Sequence, residues 1–147
     1  MILNRQRRVP ISVRALRKFY ERARRELGFP RDCITVELIT DRRIARLNET
    51  YRKKRGPTDV LSFPAHAPGE NGARAPKTPE ANGYVGDIAI SPETARRNAR
   101  RFSRTLPEEM RILILHGMIH LAGYDHETDH GEMERLERRL RKRLGVA

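Results

Sequence analysis

Tryptophan is absent, cysteine occurs once, and aromatic residues make up only 5% of this 147-residue chain. With Cys33 alone, no intramolecular disulfide can form. Its neighbours in I-T-V-E-L-I-T mark it as a small apolar core residue on a strand, not a ligand. The scarcity of aromatics argues against a stacking platform for several bases. No apolar run reaches the about 18 residues that a membrane span needs. The first residues, M-I-L-N-R-Q-R-R-V, place arginines where a secretory signal needs its apolar stretch. These absences predict a cytoplasmic protein with no membrane association. A chain of this length, read as one domain over 1–147, buries roughly two-thirds of its unfolded surface without staples. A metal, if present, therefore serves chemistry.

Acidic residues are also short: 19 Asp and Glu face 31 Lys and Arg, a formal net charge of +12. Arginine greatly outnumbers lysine, and its planar guanidinium matches phosphate oxygens in pairs. A field of this sign raises encounter rates with nucleic acid. An arginine-loaded, merely solvated surface accounts for the same total, so local patches have to decide.

Along the chain, residues 2–9 read as an edge strand, and Val13, Leu16, Tyr20, Ala23 and Leu27 recur at helical spacing up to Gly28. The β-branched segment 33–40 reads as a buried strand. A helix over 41–52 follows with Asp41 as its N-cap, then a turn at Gly56-Pro57 and a strand at 59–63. From Pro64 to Gly83 the chain is rich in Pro and Gly and poor in large apolar residues, which predicts a mobile loop, about 64–83. A strand at 84–90 precedes Ser91-Pro92-Glu93, a helix start with hydroxyl cap, first-turn proline and acid; that helix runs to about Arg104. Thr105 and Glu108 form a capping box ahead of the apolar I-L-I-L-H-G-M-I-H-L-A, a buried central helix that Gly123 terminates. The last helix, about 130–144, carries Met133, Leu136, Leu140 and Leu144 on one stripe.

His116 and His120 lie one turn apart on the central helix, so both imidazoles leave the same face and can share a tetrahedral metal. Gly123 reverses the chain and lets His126 return to the same point, giving H-x-x-x-H-x-x-G-x-x-H. Three neutral histidines leave a fourth position for water, the arrangement of a hydrolytic zinc site with one ion per chain. Two satisfied core histidines are the bland alternative for the first pair, but the third histidine and the placed glycine favour metal. The spacing matches the metzincin peptidase pattern, whose general base follows the first histidine. Here that position is Gly117, so ordinary peptidase chemistry lacks its base. A glycine inside a buried helix costs roughly 1 kcal/mol relative to alanine, which predicts a close approach at that point. His66 and His130 fall outside the pattern and read as solvated.

Three blocks, H-G-M-I-H-L-A-G-Y-D-H at 116–126, N-E-T-Y-R-K-K-R-G-P-T-D-V-L-S-F-P at 48–64 and G-D-I-A-I-S at 86–91, resemble the YbeY family of bacterial endoribonucleases, implicated in ribosomal RNA maturation and ribosome quality control. The resemblance covers nearly the whole chain. It implies an α+β fold, a small mixed β-sheet flanked by helices; with the pattern above this means about four strands and about five helices. It implies that His116, His120 and His126 are metal ligands and that Arg52 matches the family's functionally important arginine. It further implies ribosomal RNA and the small ribosomal subunit as partners, with a small-subunit ribosomal protein and an assembly GTPase as additional ones.

On that reading the expected activity is zinc-dependent cleavage of single-stranded RNA in 16S rRNA 3′-end maturation. Arg52 would hold the scissile phosphate; the bland alternative is a solvated helix-end cation that merely favours the C-terminal dipole. Lys53, Lys54, Arg55, Arg96, Arg97, Arg100 and Arg101 are candidate RNA-backbone contacts. Thr58, Asp59 and Ser62 line the cleft or merely build the strand end. The nucleophile, water or the RNA 2′-hydroxyl, and the general base stay open. A rival from another class is a non-catalytic, zinc-containing ribosome assembly factor.

Overall fold

A computed structural model of the chain describes residues 1–65, 83–125 and 128–146. Strands β1 (Ile2–Asn4), β2 (Ile34–Leu38), β3 (Val60–Pro64) and β4 (Gly86–Ile90) form one sheet in the order β1-β2-β4-β3. β1, β2 and β4 run parallel, and β3 lies antiparallel to β4 at the edge, with Ser62 opposite Ile88. Helices α1 (Val13–Glu26), α2 (Asp41–Arg52), α3 (Pro92–Arg101), α4 (Leu106–Leu121) and α5 (Glu132–Leu144) complete an α+β fold with a mixed sheet. Among the described residues, no helix is long and apolar enough to cross a membrane.

The alternation within β2, I-T-V-E-L, buries Ile34, Val36 and Leu38 on one face of the sheet. Ile88 and Ile90 of β4 join them; α1 and α4 cover that face with Leu16, Phe19, Tyr20, Met110, Ile114 and Met118, and α5 packs on those two helices, adding Leu140 and Leu144 to the same core. Cys33 belongs to this core. The opposite face holds a smaller cluster, Ile39, Ile44, Leu61 and Ala89, with Leu47 of α2 and Phe63 of β3 packed against it.

α4 buries residues nearly all round its axis, since ten of its sixteen residues are buried; a helix of that kind lies in a core rather than on a surface. Its start is the expected capping box, in which Thr105 Oγ1 accepts from Glu108 N and Glu108 accepts from Thr105 N. Its end is the expected glycine: Gly123, at φ 99°, donates its N–H to the His120 carbonyl at 2.9 Å. Gly117 is there because α4 presses onto β4. A Cβ at that position would stand 2.8 Å from Ile88 Cδ1.

Several boundaries differ from expectation. β1 stops at Asn4, because the buried Gln6 side chain folds the chain back, donating to Asn4 Oδ1 and Val9 O and accepting from Val9 N. The N-cap of α2 is Thr40, not Asp41: Thr40 Oγ1 accepts from Arg43 N, and Asp41 is the first helical residue. Asp41 instead accepts from Ser91 Oγ, Thr94 Oγ1 and Arg97 Nη2, while Glu93 accepts from Asp41 N, so the starts of α2 and α3 cap one another. Pro64 ends β3 rather than opening the loop, as an edge strand permits. α3 ends at Arg101, and α5 begins at Glu132 with Asp129 accepting from Gly131 N and Met133 N. Of the predicted loop, 66–82 lies outside the described residues, as does His66.

Candidate functional site

Both histidines of α4 are partly exposed, their ring centroids 4.8 Å apart and their planes at 79°. Each is held by Nδ1. The Tyr124 carbonyl, carried back by the turn at Gly123, lies 2.9 Å from His120 Nδ1. A carbonyl only accepts, so the proton sits on Nδ1. On the other ring, His116 Nδ1 lies 2.6 Å from Glu137 Oε1 of α5. Burial pushes the Glu137 carboxyl up, but the His116 contact and the charge of Arg141 outweigh it and hold it below the ordinary carboxylate range. Glu137 is therefore ionised near neutral pH and accepts from His116 as well. Its second oxygen accepts from Arg141 Nη2 at 3.1 Å.

With Nδ1 donating, Nε2 is the ring nitrogen through which each histidine would bind a metal, and the two residues lie one helical turn apart. Metal-binding histidines are oriented in this way, with a carboxylate or a backbone carbonyl on the second nitrogen. The donor chemistry fits a nitrogen-ligated zinc. Among the described residues no group of three His, Cys, Asp or Glu side chains forms a cage. His126, which follows the exposed Asp125, lies outside the described residues.

The neighbouring wall is β3. Ser62 Oγ donates to the Gly117 carbonyl at 3.3 Å, on the α4 side of the sheet. Thr58 and Asp59 are occupied otherwise: Asp59 Oδ1 accepts from Val60 N at 2.8 Å, Oδ2 from Asn98 Nδ2 at 3.1 Å, and Thr58 donates to Asp59. They build the strand end, and Ser62 alone of the three meets the histidine helix.

Arg52 closes α2 and is exposed. Its neighbour Tyr51 sets its ring edge against Phe63 at 5.2 Å, which fastens the end of α2 to the outer strand β3. Phe63 and Ser62 point to opposite faces of that strand, so Arg52 and the histidines flank one sheet edge. Lys53 takes the left-handed conformation, φ 57°, and Asn48 Nδ2 donates to the Gly56 carbonyl, which fixes the basic segment Lys53, Lys54, Arg55 as a tight exposed return. Arg96, Arg97, Arg100 and Arg101 are all exposed on α3, but Arg97 is tied to Asp41 at 2.7 Å.

Sequence reading missed Glu137 and Arg141. In E-R-L-E-R-R-L-R they resemble any solvated charged face, and only the packing of α5 on α4 reveals them.

Taken together, these features define a class: an α+β protein with a mixed sheet whose helix α4 carries two partly exposed histidines, each held through Nδ1. The model of the endoribonuclease YbeY family matches residues 1–145, and the chain belongs to that family. It is 41% identical to the endoribonuclease YbeY of Solibacter usitatus over 144 residues, covering 95% of this chain and 86% of the relative. It is 42% identical to that of Koribacter versatilis, covering 98% and 85%. Among solved structures it is similar to the solution structure of a Thermotoga maritima protein, with a TM-score of 0.62, 27% identity, and coverage of 98% of this chain and 89% of that one.

Proposed function

We propose that this protein is a zinc-dependent, single-strand-specific endoribonuclease that acts in the cytoplasm on ribosomal RNA of the small subunit, in 16S rRNA 3′-end maturation and ribosome quality control. The observation that carries the proposal is the anchoring of both helix histidines through Nδ1, by Glu137 and by the Tyr124 carbonyl, in a chain whose relatives are named endoribonucleases. A small-subunit ribosomal protein and an assembly GTPase are the expected further partners.

His116, His120 and His126 would hold one zinc ion. When bound, it supplies a Lewis acid and a water of lowered pKa. Glu137 keeps the His116 ring from rotating away. Arg52 orients the phosphodiester and meets the charge gathering on its non-bridging oxygens. Lys53, Lys54, Arg55 and the exposed arginines of α3 hold flanking backbone, with little base preference.

Cleavage of a ribosomal RNA fragment by metal-quantified protein tests the proposal, with Arg52→Glu and His120→Ala compared after each is shown to be folded. About one zinc per chain and loss of cleavage in both variants is the expected result, and a 2′,3′-cyclic phosphate end would identify the 2′-hydroxyl as nucleophile. Equal residual cleavage in all three proteins would overturn it and leave a non-catalytic assembly factor.

A further inference from the structure

Three large hydrophobic side chains stand exposed among the described residues: Met1, Tyr51 and Phe102. Met1 is the chain terminus, and Tyr51 leans on Phe63. Phe102 is 53% exposed and lies against two guanidiniums, Arg104 at 5.2 Å and Arg101 at 5.7 Å from its ring centroid. We infer that Phe102, with Arg101 and Arg104, is a stacking site for one unpaired nucleotide of RNA, distinct from the histidine site.

The ring is held on a rigid corner. Phe102 caps α3, its N–H donating to the Asn98 carbonyl at 2.9 Å, and Arg104 N donates to the Ala99 carbonyl at 2.8 Å. Between them Ser103 adopts a left-handed φ of 55°, and Thr105 then opens the capping box of α4. A phenylalanine in such a corner has two side-chain torsions to order, so little freedom is lost when a base settles on it.

Arg104 is fixed as well, its Nη1 3.0 Å from Oε2 of the buried Glu109. Arg101 is exposed and extends the positive strip that Arg96 and Arg100 begin along α3. An aromatic face flanked by planar cations matches a base with its phosphates, the pairing used by proteins that bind single strands. An acidic peptide would use the cations and leave the half-exposed ring between them unexplained. Duplex RNA would bury its bases away from it.

From Leu106 to His116 the rise along α4 is about 15 Å. A single strand must therefore span several nucleotides to reach both this site and the histidines. Phe102 thus acts as a distal anchor that favours longer single strands, an inference that rests on the ribonuclease reading above.

Because the chain has no tryptophan, Phe102→Trp places a lone indole at the site. Titration with decauridylate and decaadenylate, followed by indole emission and by anisotropy of labelled RNA, should show quenching in step with binding. Phe102→Ala should weaken decamer binding roughly fivefold or more and raise KM with kcat unchanged, while a trinucleotide feels no difference. Thermal melts of both variants should match wild type, since the ring is exposed. Decamers that bind and are cleaved without quenching, with Phe102→Ala binding like wild type, would overturn the stacking site alone. Quenching by polyglutamate but not by RNA would reassign the surface to a protein partner and overturn it too. Absence of any RNA binding would overturn the ribonuclease reading and this inference together.

Discussion

Glu137 of α5 grips His116 of α4 at Nδ1, 2.6 Å away, and is itself gripped by Arg141 at 3.1 Å. The last helix thus orients a histidine twenty-one residues upstream. Orienting carboxylates of this kind typically contribute 10- to 100-fold to metal affinity. Glu137→Ala should lower zinc affinity by about that range, and Glu137→Gln, which still offers a carbonyl oxygen, by less. Competition against a chromogenic chelator measures both. Unchanged affinity in the alanine variant would mean that the contact is only a packing feature.

Gly117 is a packing requirement rather than a relic of another active site. Alanine there gains roughly 1 kcal/mol of helix propensity. Overpacking against Ile88 costs about 1–3 kcal/mol, because the new Cβ would meet Cδ1 at 2.8 Å and also Cγ2 at 2.9 Å, and the branch at Cβ of Ile88 keeps both Cγ atoms from swinging clear together. The balance should be a net loss. In an Ile88→Ala background, which removes Cδ1, Cγ1 and Cγ2 together, the same substitution should cost less. Urea unfolding of the four proteins of this cycle measures the coupling, and additive effects would refute the contact.

Much of this architecture could be read in advance from local chemistry. The capping box at Thr105 and Glu108, the glycine at 123, the Val13 to Leu27 stripe and the alternation in β2 each depend on residues within a turn or two. What could not be read depends on distant partners. Thr40 and Asp41 are both good caps, and the choice falls to Thr40 because Ser91, Thr94 and Arg97, fifty or more residues away, claim the Asp41 carboxylate. Gln6 ends β1 through a loop of its own hydrogen bonds that no periodicity signals. Glu137 shares its pattern with exposed glutamates such as Glu134, and only the docking of α5 separates them.

Asp41 links stability to pH. Burial pushes its carboxyl up, but hydrogen bonds from Ser91, Thr94 and Arg97 outweigh that and hold it below its ordinary value. A depressed folded-state pKa gives stability that is present above the unfolded value, about 3.9, and is lost as pH falls through the folded one. Asp41→Asn should therefore destabilise the protein by on the order of 1 kcal/mol at pH 7. The difference should shrink towards pH 3. Urea midpoints between pH 3 and 7 check this, and a penalty independent of pH would assign the effect to geometry alone.

Arginines of α3 differ in what else they do. Arg97 donates to Asp41 and Thr94, whereas Arg100 and Arg101 are exposed and, among the described residues, pair with no carboxylate. Arg97→Ala should therefore lower stability, by about 0.5–1 kcal/mol given its exposure. Arg100→Ala should leave stability unchanged and weaken RNA binding. If the contact is to phosphate, the slope of log affinity against log salt should fall by ~0.7 for each one lost. Anisotropy titrations between 50 and 200 mM salt, the range over which such contacts are conventionally resolved, distinguish the two residues. An unchanged slope in the Arg100 variant would remove that side chain from the RNA path and shift the weight of the phosphate contacts to the Arg52 to Arg55 return.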